Sequence, residues 1–120
     1  VAQFDSIVVA GDTHANGRLT LGENIADQGG LRVAYTAYHN ALGDSEGETV
    51  DGYTPDQRFF ISYANDGPEE ALQRTKTDPH SLGRWRVNAS LRNLEPFFEA
   101  FDIKEGDAMY RPAEERVVIW

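Results

Sequence analysis

The sequence predicts a mainly α-helical fold with few strands and long ordered loops, and three observations carry that prediction. Ile25, Gln28, Leu31, Tyr35 and Tyr38 recur at helical spacing, with Ala26, Ala34 and Ala37 interleaved, so residues 19–42 read as one long helix. Thr54-Pro55-Asp56-Gln57 is a helix start, with Thr as N-cap, Pro at the first helical position and Gln placed for a capping box. Asn93-Leu94-Glu95-Pro96 opens another helix, which continues through Phe97-Phe98-Glu99-Ala100-Phe101.

The elements follow in order. Residues 1–10 hold an apolar stretch that suits a helix end or a strand. Residues 11–18, with Gly, Asp and an Asn-Gly pair, are turn chemistry. Gly29 and Gly30 interrupt the long helix, each costing about 1 kcal/mol against Ala, which predicts something packed close to the backbone there. Residues 43–53 form an acidic loop, and the helix from Thr54 runs to Ala64 before Asn65-Asp66-Gly67-Pro68 breaks it. Glu69 to Thr75 reads as a short helix and Lys76 to Arg86 as a loop, with Asp78-Pro79 and Gly83 as turn residues. Gly106 ends a turn, and Arg116 to Trp120 forms an apolar tail. Trp85, Phe97, Phe98, Phe101 and Trp120 are expected as core aromatics.

A length of 120 residues suits one domain, and 40% hydrophobic with 26% charged residues is globular composition. Eleven Lys and Arg against twenty Asp and Glu leave a net charge of −9, which would repel a phosphate backbone and argues against nucleic acid as a partner. No apolar run approaches the ~20 residues of a membrane helix. The sequence contains no Cys, so it builds neither a disulfide framework nor a thiolate metal site. Val1 in place of Met reads as a processed or cut end.

Two groups of residues can carry chemistry. Glu23 and Asp27 stand four apart, so both carboxylates project from one helix face. One can bind a metal while the other orients a neighbouring ligand. The plain alternative is a solvated acidic face, against which stand the apolar neighbours, since a buried carboxylate needs a cation or donors. The second group is Asp78-Pro79-His80-Ser81 followed by Arg86. There His80 and Arg86, six apart, can converge on an oxyanion, and Asp78 can tune His80. Its alternative is a structural His and a surface Arg. His14 and His39 read as solvated side chains, and no H-E-x-x-H occurs. Asn88-Ala89-Ser90 matches a glycosylation acceptor, a pattern frequent by chance.

Together these stretches resemble one family. Leu19-Thr20-Leu21-Gly22-Glu23-Asn24-Ile25-Ala26-Asp27, with Gly29-Gly30-Leu31 and Ala34-Tyr35, is similar to the zinc-ligand helix of the neprilysin and endothelin-converting-enzyme peptidases. Thr77-Asp78-Pro79-His80-Ser81 with Arg86-Val87-Asn88 resembles their transition-state loop. Glu99-Ala100-Phe101, Gly106-Asp107, Met109-Tyr110 and Arg116 to Trp120 resemble their C-terminal signature. The resemblance implies the C-terminal part of a thermolysin-like (gluzincin) catalytic domain. Its parts would be a zinc-ligand helix over 19–42, a transition-state loop over 76–88 and a C-terminal tail over 105–120.

It further implies a zinc-dependent metalloendopeptidase acting on peptides. Glu23 matches the downstream zinc ligand, and Asp27 the Asp that orients the first zinc His. His80 matches the His that hydrogen-bonds the tetrahedral oxyanion, and Arg86 the Arg that holds the substrate carbonyl. The H-E-x-x-H segment is absent, so its partner would be an upstream part of the same protein, and this chain alone should be inactive. The chain is also shorter than the family pattern between Ala64 and Asp78. The missing paired cysteines point to a bacterial-type member, and hence to an extracytoplasmic location. The rival reading is a non-catalytic peptide-binding or structural domain that keeps the fold without the metal.

Overall fold

A computed structural model describes residues 1–43, 47–64 and 77–119. The break expected at Asn65 to Pro68, the short helix expected over Glu69 to Thr75, and Trp120 lie outside those residues. In chain order the described residues form α1 (Ala2–Asp5), β1 (Val8–Ala10), β2 (Thr13–His14), α2 (Leu21–Leu42), α3 (Pro55–Ala64), α4 (Gly83–Leu91), α5 (Glu95–Phe101) and a 3₁₀ turn (Ala113–Glu115). β1 and β2 are antiparallel and pair Val8 with His14 and Ala10 with Thr13. The first ten residues therefore hold both a helix and a strand, and the Gly-Asp turn closes a small hairpin. None of the described helices is long and apolar enough to cross a membrane.

α2 is a single helix of 22 residues that passes through Gly29 and Gly30 without a break. The cost of two glycines is outweighed by the hydrogen-bonded turns on either side. A Cβ at Gly30 would meet nothing within 4 Å, so the close packing expected there is not found at Gly30 among the described residues. Gly29 beside it is buried, and the backbone is crowded at Gly17, where a Cβ would collide with the Val1 carbonyl oxygen while the Gly17 N–H donates to Asp5 at 2.8 Å. α2 ends at Gly43, whose φ of 58° suits glycine.

The capping box at the start of α3 forms as the sequence predicts. Gln57 N–H donates to Thr54 Oγ1 at 3.2 Å, and Thr54 N–H donates back to Gln57 Oε1 at 3.0 Å. Gln57 Nε2 also donates to the Ala100 carbonyl at 2.9 Å, which ties α3 to α5.

α2 packs against α4, and α3 against α5. The core between them is Leu31, Phe60, Leu91, Leu94, Phe97 and Phe98. Phe60 is its centre at 1% exposure, stacked on Tyr35 with ring centroids 5.4 Å apart and edge-on to Phe97 at 5.5 Å. Phe97 and Phe98 are buried as expected, and Phe101 packs against the cluster. Trp85 does not join it: the indole is half-buried, with the Arg84 guanidinium 5.2 Å from its ring. Ile25, expected on the buried stripe of α2, is 37% exposed. The buried row there runs through Asn24, Gln28 and Leu31, so the N-terminal half of α2 is anchored by polar contacts. Asn93 Nδ2, for example, donates to Gln28 Oε1 at 3.1 Å, and Asn93 Oδ1 accepts from the Val117 N–H at 3.1 Å.

Candidate functional site

Residues 76–88, expected as one loop, divide into two parts. The described stretch before Leu82 is irregular, but α4 begins at Gly83, so Arg86 is helical. Leu82 is the N-cap, and its carbonyl accepts from the Trp85 and Arg86 N–H groups at 2.8 and 3.1 Å. Glycine at the first helical position does not prevent the helix, because α4 is held by its packing on α2. The Asn88-Ala89-Ser90 pattern lies inside α4 with Ser90 buried, which is not the surface loop an acceptor needs.

The fold brings Glu23, Asp27, His80 and Arg86 into one patch. Glu23 and Asp27 sit one turn apart on α2, with Glu23 in its first turn, where a carboxylate is favoured by the helix dipole. His80 Nε2 lies 3.4 Å from Glu23 Oε2, and both side chains are open, at 44% and 41% exposure. Asp78 Oδ1 takes two bonds from His80, from its backbone N–H and from Nδ1, each at 2.9 Å. A carboxylate only accepts, so Nδ1 carries the proton there and Nε2 is the nitrogen turned toward Glu23.

Asp27 is more enclosed, with its side chain 15% exposed, and it grips Arg86 with both oxygens. Nε donates to Oδ2 and Nη2 to Oδ1, each at 2.7 Å, the parallel fork of a guanidinium on a carboxylate. This hydrogen bonding holds the Arg86 pKa well above its ordinary range, against the opposing effect of burial. The Arg86 carbonyl also accepts from Tyr63 Oη at 3.4 Å, which ties α3 to the same helix. The fork adds to what the resemblance implies, which directs Asp27 toward a zinc-bound His and Arg86 toward a substrate carbonyl. Opposite charges that are 59 residues apart give no local signal.

The other histidines lie away from this patch. His14 is exposed, with Nδ1 3.0 Å from the Asp5 carbonyl. His39 is not merely solvated: Nε2 meets Asp56 Oδ1 at 2.9 Å, and its ring lies 4.5 Å from that of Tyr35.

The donor set can be tested against a metal. Glu23 has no arginine or lysine within ion-pair distance among the described residues, so its oxygens are open to a cation. No group of three His, Cys, Asp or Glu among the described residues is placed to hold one. A catalytic zinc needs three protein ligands. The described residues by themselves therefore do not make a catalytic zinc site, and Glu23 presents one open carboxylate on this patch.

Comparison with known proteins places the chain in a family. The sequence profile of Peptidase family M13 matches residues 1–117. Endothelin-converting enzyme 1 of Cavia porcellus is 42% identical over 117 residues, which is 91% of this chain and 15% of that protein. Neprilysin-21 of Caenorhabditis elegans is 36% identical over a 132-residue alignment, covering all of this chain and 17% of that protein. The zinc metalloprotease Zmp1 of Mycobacterium tuberculosis, solved with an inhibitor, superimposes with a TM-score of 0.91 at 35% identity over 99% of this chain and 20% of that one. Its open state gives a TM-score of 0.89. The chain thus spans less than one fifth of the length of those two curated relatives. With a profile match over nearly its whole length and the same helical fold as Zmp1, the chain belongs to Peptidase family M13.

Proposed function

We propose that the protein carrying this chain is a zinc-dependent endopeptidase of oligopeptides. In this reading the chain supplies the third zinc ligand, Glu23, and an oxyanion-binding group made of His80 and Arg86. The observation that carries this is the pairing within one patch of an open carboxylate, Glu23, with an imidazole whose Nε2 faces it at 3.4 Å. The remaining zinc ligands and the base belong to an H-E-x-x-H segment in the upstream part of the same protein. Its location is extracytoplasmic on the same resemblance.

Zinc bound there supplies a Lewis acid and lowers the pKa of its bound water. The chain's own residues hold and orient. Glu23 offers its carboxylate to the metal. His80 donates a hydrogen bond from Nδ1–H to Asp78 and, when it carries a second proton, presents Nε2–H to the oxygen that becomes negative as the tetrahedral intermediate forms. Asp27 takes Nε–H and one Nη2 hydrogen of Arg86, leaving the rest of the guanidinium for a carbonyl or oxyanion.

Two variants of the full-length enzyme test this. Glu23→Gln replaces a charged ligand with a neutral amide and should lose most of the zinc, as read by metal analysis. His80→Phe should keep its zinc and lose about 10²–10³ in kcat with little change in KM, because the interaction strengthens only as charge develops. Full zinc in Glu23→Gln would overturn the ligand, and unchanged kcat in His80→Phe would make that residue a bystander.

A further inference from the structure

A buried polar chain runs directly beneath the proposed site. Thr20, Asn24 and Ser81 are 4%, 8% and 6% exposed. Thr20 Oγ1 donates to the Asn16 carbonyl at 3.0 Å. With its proton spent there, the Thr20 oxygen accepts from Asn24 Nδ2 at 2.8 Å. That fixes which way the Asn24 amide points and turns its oxygen outward, where it accepts from Ser81 Oγ at 2.8 Å. The direction of every bond in the chain follows from the first.

The location gives this chain its significance. Asn24 follows Glu23, and Ser81 follows His80, so the bond between them joins the two backbones at the residues next to the facing pair. Among the described residues no backbone–backbone hydrogen bond ties residues 77–81 to α2. The Ser81–Asn24 bond is enclosed, whereas the His80–Glu23 contact beside it is long and open to solvent, and so too weak to hold the loop by itself.

We infer that Asn24 and Ser81 are positioning residues, which hold His80 at its working distance from Glu23 through one buried hydroxyl–amide bond. This inference rests on the role proposed for His80. A misplacement of about 1 Å at a group that acts in the transition state can cost up to 10²-fold in rate.

The test uses the full-length zinc-loaded enzyme. Ser81→Ala removes the donor and leaves the Asn24 oxygen buried without it. The expected result is a kcat about 10-fold lower, with KM and zinc content unchanged. Ser81→Thr, which restores the hydroxyl, should recover the rate. The deciding measurement is a double-mutant cycle with His80→Phe, in which Ser81→Ala should cost nothing further, because a residue that acts through His80 has nothing left to position. Unchanged kcat in Ser81→Ala overturns the inference. So does a 10-fold loss that persists in the His80→Phe background, which would show that Ser81 supports the fold in general. If His80→Phe itself leaves kcat intact, the role of His80 falls and this inference falls with it. If His80→Phe is costly and Ser81→Ala is silent, only this inference falls.

Discussion

Asp27 and Arg86 hold each other in a way that neither spacing nor composition announces. The fork keeps the guanidinium flat against the carboxylate, and in the function proposed above its outer edge would meet a substrate oxygen as a pre-oriented donor. Asp27→Asn would turn an amide N–H₂ toward the guanidinium and break one limb of the fork. Activity of the full-length enzyme should fall by roughly 10–100-fold. Arg86→Met should harm KM as well as kcat. The two losses should not add: the double variant should be closer to the worse single variant than to their sum, with a coupling of about 0.5–3 kcal/mol in a kinetic cycle. Strict additivity would mean that the fork is not made in the working enzyme. The sign of the pH effect follows from the raised Arg86 pKa. A raised base contributes stability below its ordinary value and loses it only as pH climbs through the folded one, so Arg86 stays charged throughout any working range.

At the scale of elements, two devices hold α3 in place. The first is the capping box. Thr54→Ala leaves the Gln57 N–H without its acceptor and should lower stability by about 1 kcal/mol, read from the denaturation midpoint. Gln57→Ala should cost more, because it also frees the Ala100 carbonyl and loosens α5. The second is Tyr35, whose hydroxyl donates to Asp56 Oδ2 at 2.9 Å. Burial, and then this bond to a carboxylate, push the Tyr35 pKa well above the ordinary tyrosine range. An acid with a raised pKa keeps its proton in the folded state while the unfolded chain releases it. Stability therefore falls as pH rises past the ordinary value of about 10. Tyr35→Phe should be less stable than the parent at neutral pH, and the gap should narrow above about pH 10. A gap that stays constant across that window would show that Tyr35 titrates normally.

Across the whole molecule the chain is a helical body with a real core and an unfinished site. The core of Leu31, Phe60, Leu91, Leu94, Phe97 and Phe98 joins α2 through α5 and so places the loop before α4 beside the N-terminus of α2. The metal chemistry is incomplete within the described residues. The isolated 120-residue chain should accordingly bind zinc weakly and hydrolyse no peptide. Chelator-sensitive hydrolysis by the purified chain, above blank, would refute this. The shorter stretch between Ala64 and Asp78 is an expectation on residues outside those described, and a longer structure of the same protein would test it.

By itself the sequence determined whatever depends on local periodicity and local chemistry. The long helix, the Thr54-Pro55 start, the helix opening at Glu95-Pro96, and the Glu23–Asp27 pair one turn apart are all written in spacings of three and four residues. The family resemblance could be read because its motifs are contiguous. Tertiary structure decided the rest, because it depends on contacts between distant residues. It turned Ile25 outward and Asn24 inward, made helix of the stretch from Gly83 despite its loop-like composition, and left Trp85 half-buried outside the core. It also paired Asp27 with Arg86 and bound Ser81 to Asn24. The physical reason is the same in each case. A side chain is buried, paired or exposed according to what packing brings against it, and packing overrides local propensity wherever the two disagree.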